Sequence, residues 1–162
     1  RNPFQNDCSP PVQEALRKLY ARISKAVDLR ENVRTLARIT IPATEFQAGC
    51  IFSIDPGLMM LLPQLEIGKS RREEFKPVDY SLVSSQSNIV AVAYQGDEVV
   101  SGFRVESDKA AVITLAGAFG RSQRMGVLYL EAPFVEGAQA EMTRLTHFKA
   151  LCFALNDCLN LK

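Results

Sequence analysis

The chain has 162 residues, 47% hydrophobic and 23% charged, and its 19 Lys and Arg against 18 Asp and Glu leave a formal charge of +1. That length and balance fit one globular domain burying roughly 70% of the surface its unfolded chain exposes, so neither metal nor disulfide is needed to hold it. The interspersed signs imply no polyanion partner such as nucleic acid, and no apolar run approaches the ~20 residues that cross a bilayer, which points to a soluble domain; the cysteine pattern and the lack of a signal peptide point to a cytoplasmic one.

Residues 1 to 11 hold Pro3, Pro10 and Pro11 among polar residues and read as a linker. With Arg1 rather than Met at the start, they suggest a piece of a longer protein, with the domain proper over 12 to 162. Val12, Leu16, Leu19, Ile23 and Ala26 recur at helical spacing and predict a helix over 12 to 27 with a narrow apolar seam, capped by Ser9. Asp28 followed by Glu31 has the form of a capping box, and Leu29, Val33, Leu36 and Ala37 mark the face of a second helix that Pro42 stops.

The period then changes. Ala48 to Ile54, the turn Asp55-Pro56-Gly57 and Leu58 to Leu65 predict a β-hairpin. Residues 66 to 87 are mixed and read as a long excursion across one face of the sheet, with Lys69 to Arg72 a solvated loop. Asn88 to Tyr94 favours a strand by composition, although a short buried helix has the same signature. Val99 and Val100 begin another short extended piece, Ala110 to Leu115 a strand, Ala116 to Arg124 a turn segment and Gly126 to Leu130 a strand pairing antiparallel with the one before. A final helix runs from about Ala138 to Leu161, its seam carried by Leu145, Phe148, Cys152, Leu155 and Leu159. Helices bracketing an antiparallel sheet make an α+β layout, with the first and last helices expected on one face of the sheet.

This order of elements resembles the GAF domain, within the GAF/PAS-like class, over residues 12 to 162. Its most specific piece is Met125-Gly-Val-Leu-Tyr-Leu-Glu131, similar to the penultimate strand of such domains, where glycine lets the strand enter a crowded turn. The next is Val92 to Val100, similar to the family's short helix, glycine and strand; that likeness implies a helical Asn88 to Tyr94. The resemblance implies a non-enzymatic regulatory domain of a bacterial signalling protein, joined covalently to an effector domain, sensing a small molecule or mediating dimerisation. The Asn-Lys-Phe-Asp-Glu set of cyclic-nucleotide-binding members and the Cys-His pair that tethers a bilin are both missing, and no cofactor is expected.

A ligand is expected between the sheet and the segment from Phe75 to Arg104. Tyr80, Ser84, Tyr94 and Thr114 are its candidate contacts, because hydroxyls flanked by apolar residues suit a mostly apolar pocket with a few orienting polar groups. The alternative is a docking module without ligand, in which Leu16, Leu19, Ile23, Phe148, Leu155 and Leu159 join two copies in a homodimer through the terminal helices. The enzymatic alternative is a cysteine-dependent sulfoxide reductase, a chemistry known on GAF-like folds; it needs a thiolate of depressed pKa and a resolving partner. Cys8, Cys50, Cys152 and Cys158 show no such pairing and read as buried structural thiols. With no CxxC spacing and one histidine, no metal site is expected; His147 reads as a helix-surface or interface group rather than a haem ligand. Gly68-Lys69-Ser70 is not a phosphate loop, because Pro63 stands where the first glycine is required. Ser84, Ser85 and Ser87 lack a nucleophile elbow and read as loop residues.

Overall fold

The computed structural model describes residues 2–68, 74–81 and 88–161. Two units share the chain, a helical one of Arg1–Glu45 with Val135–Lys162 and a sheet one of Phe46–Phe134.

In the helical unit, α1 (Pro10–Arg22), α2 (Leu29–Thr40) and α4 (Ala138–Leu159) account for most of the residues. Pro10 and Pro11 open α1, where a missing amide N–H costs nothing. Ser9 precedes them, but its side chain makes no cap bond. The helix ends five residues before the position its apolar spacing predicts. The reason lies in Asn32, whose side chain accepts from the Ser24 amide at 3.2 Å and donates to the Ser24 carbonyl at 2.8 Å, holding the chain there as a loop. Asp28 caps α2 by accepting from the Arg30 amide at 2.8 Å. Glu31 does not close the box, pairing instead with Arg34 at 3.6 Å.

The buried face of α2 is rotated from the expected one: Asn32, Thr35, Leu36 and Thr40 are buried while Leu29 is exposed. Polar residues can occupy that face because their bonds close locally, as when the Thr40 hydroxyl donates to the Leu36 carbonyl at 2.6 Å. The expected linker is partly structured, with a single 3-10 turn over Gln5–Asp7 and a buried Asn2 whose amide donates to the Ala150 carbonyl at 3.0 Å. The Tyr20 hydroxyl donates to the Asp157 carboxylate, so the first and last helices are tied directly.

The sheet unit contains β1 (Ala48–Asp55), β2 (Met60–Gly68), β3 (Val78–Asp79), β4 (Val100–Val105), β5 (Ala111–Phe119) and β6 (Gly126–Pro133). They form one antiparallel sheet in the order β3-β2-β1-β6-β5-β4. The β1–β2 hairpin is the predicted one, with a register shift at Ile51/Phe52. β5 runs through Ala116 to Phe119, where a turn was expected, because Gly117 and its neighbours find partners along Val127 to Tyr129 of β6. Gly126 is required by close approach: a Cβ there would sit 1.9 Å from the Phe52 carbonyl oxygen.

Between β3 and β4 lies α3 (Ile89–Gln95), a helix despite its β-branched composition. Its N-cap decides the matter locally, since the Asn88 side chain accepts from the Val90 amide at 2.9 Å. Packing decides the rest. Val90 and Ala93 are buried in one cluster with Cys50, Phe52, Leu61, Ala116, Val127 and Tyr129 of the sheet. Such burial is worth roughly 1.5–3 kcal/mol per large apolar side chain, more than the few tenths by which propensity disfavours Val in a helix.

Candidate functional site

On the face of the sheet that carries α3, paired residues of neighbouring strands fall in rows. Gly102 of β4 lies opposite Thr114 of β5, and Thr114 opposite Glu131 of β6. One row further along, Val100 pairs with Ala116 and Ala116 with Tyr129. Above these rows sits a cleft of about 730 Å³, lined by the 74–78 segment, the 88–90 entry to α3, strand β4 and the side chains of Phe52, Thr114 and Tyr129. Its size lies within the range of pockets that hold small ligands.

The cleft has an aromatic wall. Phe75 makes edge contacts with Phe52 at 6.1 Å and with Tyr129 at 5.7 Å between ring centroids. Beside that wall stands a charged cluster. The Arg104 guanidinium donates through Nε to Glu106 at 2.8 Å and through Nη1 to Glu131 at 2.9 Å. The Tyr129 hydroxyl donates to the same Glu131 carboxylate at 2.6 Å. Burial opposes the Arg104 charge, but the bonds from Glu131 and Glu106 outweigh it and hold its pKa above the ordinary value. Arg104 is thus a permanent cation already held by two carboxylates.

Thr114 differs from that cluster. It is 6% exposed, it lines the cleft, and its hydroxyl has no hydrogen-bond partner among the described residues. No polar side-chain atom among the described residues is sealed from solvent without a partner, so this hydroxyl opens onto the cleft. Gly102 makes the opening, since a Cβ at that position would lie 2.6 Å from the Thr114 Oγ1.

Of the three expected ligand contacts among the described residues, Tyr80, Tyr94 and Thr114, the last lines this cleft and the other two do not. Tyr80 and Tyr94 pack on each other, ring centroids 4.6 Å apart, and their backbone carbonyls accept from Gln95 and Arg124. Both pack against the buried cluster under α3 rather than lining the cleft. Ser84, with Ser85 and Ser87, lies outside the described residues, as do Lys69 and Ser70. Sequence reasoning missed Phe52, Phe75, Gly102, Arg104, Tyr129 and Glu131. The available signal was the polar pair Tyr129 and Glu131, two residues apart in an otherwise apolar strand, which puts both on one face.

The proposed dimer seam is altered as well. Leu16, Leu19, Phe148 and Leu155 have no exposed surface within the single chain, so they serve its own packing and are not open to a second copy. Ile23 and Leu159 keep partial exposure. His147 is not a surface group: it is 4% exposed, with Nε2 accepting from the Ser9 amide at 3.1 Å and Nδ1 2.7 Å from Glu45 Oε1. A backbone amide can only donate, so the ring proton sits on Nδ1 and is given to Glu45, which leaves neither nitrogen for a metal. Among the described residues no group of three or more His, Cys, Asp or Glu is placed to hold a metal ion.

All four cysteines are free. Cys50 is the one that belongs to the sheet unit, and burial pushes its thiol up to about 12, with the nearby Glu66 charge adding to the shift. Burial likewise raises Cys8 to about 11 and Cys158 to about 12. No helix among the described residues is long and apolar enough to cross a membrane.

A six-stranded antiparallel sheet with a short helix and a cleft on one face, in a chain that opens and closes with helices, defines an α+β architecture of the GAF/PAS-like class. Comparison with solved structures narrows it. A candidate GAF sensor protein of Burkholderia vietnamiensis is similar at a TM-score of 0.69 and 11% identity, covering 91% of this chain and 86% of its own. The GAF domain of an Acinetobacter phosphoenolpyruvate-protein phosphotransferase is similar at 0.65 and 18%, covering 93% and 94%. The free methionine-R-sulfoxide reductase of Neisseria meningitidis, in complex with its substrate, is similar at 0.69 and 13%, covering 91% and 87%. No protein-family model matches the chain, and no curated protein matches it by sequence. At these identities the likeness is one of fold: this chain has the fold of GAF domains.

Proposed function

We propose that this chain is a regulatory domain of a larger signalling protein and that it senses a small molecule held in the cleft over β4, β5 and β6. One observation carries the reading: a cleft of about 730 Å³ into which a nearly buried, unpartnered Thr114 hydroxyl opens beside an aromatic wall. A hydroxyl that opens onto a cleft without a protein partner can bond whatever occupies the cleft, and a ligand that reproduces the bond water makes there gains orientation from it. A candidate GAF sensor protein and the GAF domain of a phosphotransferase among the structures of this fold support the reading. A retained ligand would appear as a mass adduct when the protein is sprayed from native buffer, and it would raise the melting temperature by mass action. The reading requires that adduct, or a thermal shift from at least one member of a metabolite panel, and a smaller shift for Thr114→Val. A panel without any shift, together with an adduct-free native mass, would refute it.

Ligand-linked dimerisation belongs to the same proposal. A ligand biases two arrangements of a homodimer only by its difference in affinity for them. With most of the apolar seam buried, contact between copies falls to Ile23 and Leu159. Light scattering should give twice the chain mass for the wild type and the single mass for Leu159→Glu; equal masses remove the dimer.

A reductase is disfavoured by the cysteines. Thiol chemistry of that kind needs an accessible thiolate and a second sulfur in reach, whereas Cys50 has no exposed surface, a raised pKa and no cysteine neighbour within its unit. The wild type should show no turnover of free methionine sulfoxide with a thiol reductant. Turnover that Cys50→Ser abolishes would restore the enzymatic reading.

A further inference from the structure

The chemistry around the cleft limits what can occupy it, and this inference rests on the small-molecule reading above. A buried charge needs a counter-charge or it is rejected. Arg104 is the half-buried cation of the cleft lining, and its guanidinium already bonds Glu106 along one edge and Glu131 at Nη1. An anionic head placed beside it would meet those two carboxylates at the same guanidinium. A cationic head is no better served, because both carboxylates are engaged by Arg104. The other charges of the lining, Glu74 and Lys76, are exposed and of opposite sign.

What remains open is neutral: the Thr114 hydroxyl, which donates and accepts equally well, set beside Phe52, Phe75 and Tyr129. We infer that the cleft takes an uncharged molecule with a flat apolar or aromatic body and one hydrogen-bonding head directed at Thr114, and that it selects against carboxylates, phosphates and ammonium or amidinium groups. Gly102 acts with Thr114 as a positioning residue, since any side chain there would cover the hydroxyl.

Three nearly isosteric probes separate the possibilities: benzamide, benzoate and benzamidinium, neutral, anionic and cationic on one ring. Their binding to the complete chain is measured by saturation-transfer NMR titration at fixed pH and ionic strength. Benzamide should bind at least about fivefold more tightly than either ion, since the charged heads must lose water without gaining a counter-ion. Thr114→Val should weaken benzamide about fivefold, the worth of one neutral hydrogen bond, and Gly102→Ala should do the same by covering the hydroxyl. Thr114→Val should not lower the melting temperature below that of the wild type, because the hydroxyl it removes has no partner among the described residues. Benzoate or benzamidinium binding as tightly as benzamide would overturn the selection by charge while leaving the cleft a ligand site. Unchanged benzamide affinity in Thr114→Val would overturn the role of the hydroxyl. Failure of all three probes to bind would count against the ligand site itself.

Discussion

In the helical unit His147 is buried with both ring nitrogens bonded, one to the Ser9 amide and one to Glu45. In the sheet unit Thr114 is buried almost as deeply, yet its hydroxyl has no partner among the described residues and faces a cleft. The same contrast runs through their neighbours. Asn2, Tyr20, Asn32 and Asp157 close their bonds across the helical unit, whereas the Gly102–Thr114 pair leaves a gap beside an otherwise satisfied Arg104, Tyr129 and Glu131 cluster. A closed polar network fixes a structure. An open one on a rigid sheet is where a binding function can be placed.

The contrast can be broken first at its closed end. His147→Ala should be the most damaging change, leaving the Ser9 amide and the Glu45 carboxylate without their partner and a hole where the ring stood. A loss of about 2–4 kcal/mol in a urea titration is expected. A loss below about 1 kcal/mol would mean that water replaces the ring and that the network is not structural. Tyr129→Phe removes the hydroxyl bonded to Glu131 and should cost about 1–2 kcal/mol, with benzamide binding little changed because Thr114 is intact.

Acid sharpens the same comparison. The Glu45 carboxyl is pulled in two directions, burial raising its pKa and the bond from His147 lowering it, with a net value below the ordinary 4.5. A lowered folded-state pKa means the unfolded chain binds the proton more readily. The stability Glu45 contributes is therefore complete above about pH 4.5 and is lost as pH falls through its lowered value. Urea midpoints measured between pH 6 and pH 3, taken as about the span of carboxylate titration, should fall less steeply for Glu45→Gln than for the wild type. Parallel curves would remove Glu45 from the acid response. The smallest effect belongs to the open end: Thr114→Val should shift stability by no more than about 1 kcal/mol, in the stabilising direction, while weakening ligand binding. A clear destabilisation would show that the hydroxyl already has a structural partner.

Much of the architecture could be read from the chain. The hairpin turn at Asp55-Pro56-Gly57 and the helical seams are local signals that act within a few residues. Two errors of length have tertiary causes: Asn32 holds Ser24 and ends α1 early, and β6 supplies partners that carry β5 through Gly117. The strand propensity of Asn88 to Tyr94 lost to a cap and a buried face, as the family likeness implied and composition alone did not.

The site was harder to see. Tyr129 and Glu131 alternate on one side of β6, but that strand is buried almost throughout, so alternation could not tell the cleft face from the other. Arg104 and Glu131 meet only through the β4–β5–β6 register, which sequence spacing does not disclose. Thr114 was accessible to reasoning as a hydroxyl among apolar residues. Tyr80 and Tyr94 satisfied the same criterion and turned out to pack on each other.

The most direct test of the account is a methyl-resolved NMR titration of the complete chain with benzamide. Shifts should be confined to Val78, Ile89, Val90 and Thr114 around the cleft, and at a sub-saturating concentration those of Val78, Ile89 and Val90 should shrink in Thr114→Val as an affinity about fivefold weaker requires. Leu19, Leu151 and Leu155 of the helical unit should stay in place. Shifts centred on those leucines, with the cleft methyls unmoved, would contradict it.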